Sequence, residues 1–151
     1  MVSWKEFASA APDFSKRVQD IFETQKHMTL ATLRRDGSPR ISGTEAHVVD
    51  GELVLGMMPG SLKARDLIRD ARLALHSPSI DPPDDDPSAW IGDAKIAGLA
   101  VESFDKDPED ESHRFCMDIT EVVLTKVGTP PDHLVIESWS PDRGLRSRQR
   151  Y

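Results

Sequence analysis

The chain of 151 residues is long enough to bury one hydrophobic core, so neither a second domain nor a covalent staple is required. Its 38% hydrophobic and 30% charged residues fit a small globular protein whose core is thin or is completed by a partner subunit. The net charge of −7 argues against general binding of nucleic acid, and no apolar run reaches the length of a membrane span. The single cysteine, Cys116, excludes an internal disulfide and a cysteine-based zinc site and fits a reducing cytoplasm.

Two short helices are predicted within residues 3–26. Ser3 and Glu6 have the spacing of a capping box, in which each side chain accepts a hydrogen bond from the other residue's amide. Behind Pro12 the spacing of the apolar residues predicts an amphipathic helix over residues 13–26, which we expect to lie across a sheet. These apolar residues are Phe14, Val18, Ile21 and Phe22.

A meander of three strands is predicted next, at residues 28–34, 39–49 and 52–58. The first strand is indicated by Met28, Leu30, Thr32 and Arg34 at alternate positions. Asp36-Gly37 and Asp50-Gly51 separate the strands and tolerate the positive φ angles that tight hairpin turns require.

The second half of the chain predicts one short helix and four more strands. Ser61 is the expected N-cap of a helix that extends as far as Asp70. Residues 78–89 are rich in proline and aspartate and predict an exposed loop. The strands are expected at 72–77, 93–103, 114–127 and 133–139, and the arginine-rich residues 141–151 are expected to form a basic, frayed or docking tail. The whole chain, 1–151, is therefore predicted to be one mainly β domain, a barrel or a sandwich.

One segment of this chain suggests binding of an anion. A strand, a turn containing Gly60 and a capped helix N-terminus expose unpaired amides, and Ser61, Lys63 and Arg65 add a hydroxyl and two cations. This combination suits a phosphate monoester. The alternative is an ordinary N-cap followed by solvated basic residues.

The other chemically active residues form no recognisable cluster. The histidines are far apart in sequence and none forms a helical metal-binding pair, so no metal site is predicted. They are His27, His47, His76, His113 and His133. A nucleophile elbow and an obvious acid–base pair are also missing.

Four segments in this order resemble the flavin-binding split-barrel superfamily that contains pyridoxamine 5'-phosphate oxidase. They are His27 to Leu33, Asp36 to Arg40, Asp50 to Leu53, and Ser61 to Leu67. The resemblance covers roughly residues 14–139 and implies an antiparallel Greek-key split barrel of six to seven strands. It also implies that Ser61, Lys63 and Arg65 hold the phosphate of the cofactor.

The same resemblance implies where the flavin ring lies. Backbone groups of the preceding strand and two methionines would border the ring, although core packing is an alternative for the methionines. The residues in question are Arg40, Ile41, Ser42, Gly43, Thr44, Met57 and Met58. Trp139 would cover the ring of a cofactor bound mainly by the other subunit. Where the oxidase has an Arg-x-His pair for the phosphate of its substrate, this chain has Arg146-Ser147-Arg148.

The leading functional hypothesis is an FMN-dependent oxidoreductase, a homodimer that binds a small organic substrate over the flavin ring. In this class the cofactor performs the redox chemistry while the protein supplies orientation and electrostatics. One alternative replaces FMN by a deazaflavin coenzyme. Another is a non-catalytic dimeric module that carries flavin or haem, for which His47 and His76 are the candidate axial ligands.

Overall fold

The computed structural model describes all residues, 1–151, as one antiparallel sheet with three α-helices. The helices are α1 (Trp4–Ala10), α2 (Pro12–Phe22) and α3 (Leu62–Arg69). The strands are β1 (Met28–Leu33), β2 (Pro39–Thr44), β3 (Ala46–Val49), β4 (Glu52–Met57), β5 (Arg72–His76), β6 (Asp93–Glu102), β7 (His113–Val127), β8 (Leu134–Ser140) and β9 (Gly144–Arg150). The predicted mainly β class is confirmed.

The sheet is organised around the long strand β7. Its strands follow the order β2-β1-β5-β6-β7-β4-β3, and β8 and β9 extend it from a second part of β7. Residues 113–116 of β7 pair with β4, whereas residues 122–127 pair with β8. One strand therefore joins the half of the sheet that carries β3 and β4 to the half that ends at β9.

Most predicted elements occur with small shifts at their ends. Ser3 caps α1 in a reciprocal capping box with Glu6, and Asp50 and Gly51 both have positive φ angles, 50° and 80°, in the β3–β4 turn. The second helix ends at Phe22 instead of residue 26. The predicted strand over residues 39–49 is interrupted at Glu45 and forms β2 and β3.

Residues 141–151, which were expected to form a basic, frayed or docking tail, contain a strand. Residues 144–150 form β9, which pairs along its whole length with β8, from Ser140 opposite Gly144 to Leu134 opposite Arg150. Gly144 has a φ of 67° and turns the chain back onto β8. The sheet therefore has nine strands, not six or seven.

Aromatic side chains close one end of the core. Phe7 of α1 lies edge-on to Trp4 and to Phe14, at ring-centroid distances of 5.1 and 5.9 Å, and 4.8 Å from Trp139 of β8. The backbone of the N-terminal segment is also tied to the sheet, because the Lys5 amide donates to the Gly51 carbonyl over 2.9 Å. Helix α1 is thus held by partners that are distant in sequence.

The acidic loop between β5 and β6 is anchored at its ends. The Trp90 indole donates to the Ile80 carbonyl over 2.6 Å, and the Ser88 hydroxyl donates to the Gly128 carbonyl over 2.6 Å. Residues 81–86 between these anchors are exposed. None of the three helices has the length and apolar character needed to cross a membrane.

Candidate functional site

Strand β2 and helix α3 are linked by two side-chain contacts. The Lys63 ammonium donates to the Gly43 carbonyl over 2.7 Å, and Arg40 Nε donates to Asp66 Oδ2 over 2.7 Å. Gly43 and Arg40 are three residues apart on β2, so about 10 Å of strand separates the contacts. A cavity opens beside each contact.

The first of these, the arginine cavity, has a volume of about 510 Å³. Its lining contains five arginines, two carboxylates and one apolar side chain: Arg34, Arg35, Arg40, Arg65, Arg69, Asp36, Asp66 and Leu62. Five cations against two anions leave a formal charge of +3 in a protein whose net charge is −7. A concave, cationic surface of this kind attracts anions.

Asp66 organises the floor of the arginine cavity. The residue is 2% exposed, and its carboxylate accepts from Thr32 Oγ1 over 2.7 Å, from Arg40 Nε over 2.7 Å and from Arg69 Nη2 over 2.8 Å. Burial alone raises the pKa of Asp66, but the hydrogen bonds from Arg40, Thr32 and Arg69 outweigh it and hold the pKa at about 2. The carboxylate therefore stays charged and fixes the two guanidinium groups that contact it.

Three arginines of this cavity form no ion pair. Arg34, Arg35 and Arg65 have no carboxylate partner, whereas Arg40 and Arg69 both pair with Asp66. Arg65 lies close to the turn before α3, because a Cβ atom added to Gly60 would be 3.8 Å from Arg65 Nη2. Arg65 is thus an arginine without an ion pair close to the N-terminus of α3.

The second cavity, the lysine cavity, has a volume of about 380 Å³. It is lined by His27, Gly43, Thr44, Glu45, His47, Gly56, Met57, Met58 and Lys63. A Cβ atom added to Gly43 or to Gly56 would have no neighbour within 4 Å, so these two strand glycines leave open, side-chain-free surface. Such a surface admits a flat group close to the backbone.

One wall of the lysine cavity carries ionisable groups. The Glu45 carboxylate lies 3.2 Å from His27 Nε2 and 3.7 Å from His47 Nε2, and Lys26 Nζ lies 3.6 Å from it on the outer side. Glu45 is the residue that interrupts the strand between β2 and β3. Glu45, His27 and His47 therefore bring ionisable groups into the cavity that Lys63 also lines.

The structure separates the three residues that were expected to form one phosphate site. The Ser61 hydroxyl accepts from the Ala64 amide over 3.3 Å and caps α3, as predicted. Lys63 and Arg65, however, line different cavities. Residues two positions apart in a helix point in nearly opposite directions, and for this reason Lys63 and Arg65 do not converge.

The residues expected beside a flavin ring are distributed unequally. Gly43, Thr44, Met57 and Met58 line the lysine cavity, although Met57 is also a buried core residue while Met58 is 78% exposed. Ser42 is half-buried on β2. Ile41 is 75% exposed and lines neither cavity.

Trp139, which the resemblance places over the ring, is 4% exposed and packs against Phe7 beneath α1, because β8 directs it into the core. Of the two candidate haem ligands, His47 lines the lysine cavity. His76 is outside both cavities, and its ring nitrogens lie 2.7 Å from the Ser77 carbonyl and 3.6 Å from Asp93.

Sequence reasoning missed much of the arginine cavity. Arg34 and Arg35 directly precede the Asp36-Gly37 turn, and their position beside a predicted hairpin was an available signal. Asp66 and Arg69 carried no such signal, because the partner Arg40 is 26 residues away from Asp66 in sequence.

The sequence matches no protein-family model and no curated protein, but the fold has solved counterparts. A pyridoxamine 5'-phosphate oxidase-related, FMN-binding protein from Nostoc punctiforme is similar over 93% of this chain and 96% of its own, with a TM-score of 0.65 and 9% identity. A Clostridium acetobutylicum protein related to general stress protein 26, of the pyridoxinephosphate oxidase family, covers 86% and 96%, with a TM-score of 0.62 and 13% identity. PhzG from Burkholderia lata, in complex with tetrahydrophenazine-1-carboxylic acid, covers 97% and 92%, with a TM-score of 0.63 and 11% identity.

A haem-binding protein from Mycobacterium smegmatis is also similar, with a TM-score of 0.53 and 14% identity over 89% of this chain and 86% of its own. At such identities the likeness is one of fold. The chain therefore has the split-barrel fold of the pyridoxamine 5'-phosphate oxidase-related proteins, as the order of its sequence segments predicts.

Proposed function

We propose that the chain binds a phosphorylated flavin-type cofactor along β2 and α3 and acts as an oxidoreductase on a small organic substrate. The observation that carries the proposal is the pairing of a cationic cavity with a glycine-floored cavity along one strand. The phosphate would lie in the arginine cavity and the ring in the lysine cavity. Such a cofactor supplies hydride or electron transfer when bound.

The anionic end is assigned by charge. Arg65, which has no carboxylate partner, would donate to the phosphate, and Arg40 would be held in place for the same purpose by Asp66. The first amides of α3 add hydrogen-bond donors and the positive end of the helix dipole. Arg–phosphate contacts are among the stronger hydrogen bonds in proteins.

The ring end is assigned by shape. Gly43 and Gly56 leave room for a planar group against the backbone, and Met58 is free to lie against its face. Lys63 would direct its ammonium towards the polar edge of the ring. These residues exclude water from one side of the group and orient it.

The partner proposed for this chain is a second copy of itself. Four residues opposite one another in register, Ile41, Ala31, Ala74 and Ala97, form an apolar row across β2, β1, β5 and β6. Ile41 is largely exposed and Leu99 and Val101 of β6 are also partly exposed. A contiguous apolar surface of this kind favours association.

The single free cysteine, Cys116, is consistent with the cytoplasm as the proposed compartment.

Cofactor titration tests the assignment of the phosphate. FMN and riboflavin share the ring and differ in the phosphate, so both would be titrated into the apo-protein and into Arg65→Ala. Loss of one charge-assisted contact, about 1.5 to 3 kcal/mol, should weaken FMN binding about 10- to 100-fold and leave riboflavin binding unchanged. Arg150→Ala, which removes the same charge from β9, is the matched control and should bind FMN like the wild type.

Separate titrations with a deazaflavin coenzyme and with haemin identify the class of cofactor. A wild-type protein that binds none of these ligands contradicts the proposed function. Equal losses of FMN and riboflavin affinity in Arg65→Ala contradict the placement of the phosphate. Preferential binding of haemin favours the non-catalytic haem module.

A further inference from the structure

A third cavity, the seam cavity, lies where the sheet is open beside α2. Strand β3 pairs only with β4, so its other edge is free. Between this edge and α2 is a cavity of about 120 Å³ with six apolar lining residues. These are Trp4, Phe22, Ala46, Val48, Leu53 and Ile96.

The seam cavity differs from the other two in chemistry. Its three polar residues, Gln19, Glu23 and His47, accompany an apolar lining, and Gln19 Nε2 donates to Glu23 Oε1 over 2.8 Å. This hydrogen bond joins Gln19 of α2 to Glu23, the residue that follows the helix. Six of its nine lining residues are apolar, which favours an apolar group in this partly open cavity.

His47 connects the seam cavity to the proposed ring site. Its side chain is 64% exposed and lines both the seam cavity and the lysine cavity. A molecule with an apolar end in the seam cavity would therefore place its other end beside His47 and Glu45. Apolar lining with a few converging polar groups is the usual composition of a small-molecule site.

We propose that the seam cavity binds a small apolar group no larger than a benzene ring, and that this group is one end of the substrate. An engineered cavity of about 150 Å³ with aliphatic and aromatic walls binds benzene, which sets the scale for a partly open cavity of 120 Å³. Binding of the apolar group stands on the cavity alone, whereas its identification as substrate rests on the proposed function.

Benzene is the probe, and the thermal midpoint Tm of the full-length apo-protein is the readout. A ligand that binds only the folded state stabilises it, so benzene at about five times its Kd should raise Tm by about 2 to 4 °C. Ala46→Leu places a larger side chain in the cavity and should abolish the rise. Val49→Leu, on the same strand but outside the cavity lining, should retain it.

A second variant covers the case in which Ala46→Leu does not fold. Leu53→Ala enlarges the cavity from the β4 side and should allow p-xylene to raise Tm, which the wild-type cavity is too small to allow. A wild-type protein whose Tm does not respond to benzene overturns the proposal. An undiminished response in folded Ala46→Leu, or a lost response in Val49→Leu, also overturns it.

The benzene titration is repeated with FMN present. If FMN fails to bind, the proposed function fails while the benzene result in the apo-protein still decides the seam cavity. If both bind, benzene should change the visible absorbance of bound FMN in the wild type and not in Ala46→Leu. Absence of that change, with both ligands bound, contradicts the identification of the seam cavity as part of the substrate site.

Discussion

Asp66 shows how one buried carboxylate is kept charged at the bottom of a cationic cavity. Three donors surround it, two of them guanidinium groups, and its pKa of about 2 lies below its usual 3.8. A carboxyl group whose pKa is lowered by folding stabilises the folded state above its unfolded pKa. That contribution is about 2 kcal/mol and is lost as the pH falls from about 4 through about 2.

Replacing this carboxylate should therefore lower the free energy of unfolding by an amount that depends on pH. We expect Asp66→Asn to lower the free energy of unfolding by about 2 kcal/mol or more at pH 7, because two arginines lose their charged partner. The difference from the wild type should shrink as the pH is lowered from 4 towards 2. Urea unfolding at pH 7, 4 and 2.5 measures it, and a difference that is constant with pH would show that the charge of Asp66 is not the cause.

Lys63 should behave differently from Arg65, although the two are close in sequence. Lys63 lines the lysine cavity, where the ring and not the phosphate is proposed to lie. We expect Lys63→Ala to weaken FMN and riboflavin by the same factor, about 3- to 10-fold for one lost hydrogen bond. The same titrations measure this. If Lys63→Ala weakened the binding of FMN and not of riboflavin, the phosphate would be assigned to Lys63.

At the scale of elements, the acidic loop between β5 and β6 is held by hydrogen bonds near its ends, whereas its middle, residues 81–86, is exposed. Asp84, Asp85 and Asp86 are exposed, whereas Trp90 donates its indole hydrogen to Ile80. We expect the triple change of these aspartates to serine to leave Tm and cofactor affinity nearly unchanged.

Trp90→Phe is the contrasting variant in this loop. It removes one donor from the half-buried Ile80 carbonyl and should lower the stability by about 1 kcal/mol, seen as a drop in Tm. Thermal melts of both variants compare the two effects. A large drop in Tm in the triple aspartate variant would mean that the charges of these aspartates stabilise the folded state.

The sequence predicted elements wherever side-chain burial or turn chemistry had a local signature. The capping box of Ser3 and Glu6 and the Asp50-Gly51 turn are examples of local determinants. Strand β9 had none, since nearly all its side chains are exposed and its stability comes from backbone pairing with β8. The arginine-rich sequence of β9 therefore does not distinguish a strand from a disordered tail.

The features of the candidate site were likewise predictable only where they have a local signature in the sequence. The cap at Ser61 and the position of α3 follow from local sequence. That Lys63 and Arg65 point apart follows from their spacing in a helix, but the cavity that each of them lines depends on the rotation of α3 about its axis against β2. The Arg40–Asp66 contact depends on the same docking, and neither can be inferred from residue spacing along the chain.

At the scale of the whole molecule, the apolar row across the outer face of the sheet should determine association. Ile41 lies at one end of the row and projects from it. We expect Ile41→Lys to convert the apo-protein from dimer to monomer at micromolar concentration, because burial of an unpaired charge opposes association. Analytical ultracentrifugation measures the mass.

Leu145→Lys is the matched control, since Leu145 is also partly exposed but lies on β9, away from the row. It should leave the dimer intact. A wild-type protein that is a monomer while binding flavin would contradict the proposed partner, and a dimer that survives Ile41→Lys would place the interface elsewhere.

The way in which α1 is held has a consequence for the order of folding. Seven residues are too few for a helix to persist alone in water, and some partners of α1 come from the far end of the chain. Phe7 needs Trp139 on β8, and the neighbouring Val2 carbonyl accepts from the Ile119 amide on β7 over 2.9 Å. The first helix in sequence is therefore expected to be among the last elements to form. By the same reasoning, the amides of α1 should exchange with solvent through a local opening that leaves β6 and β7 protected.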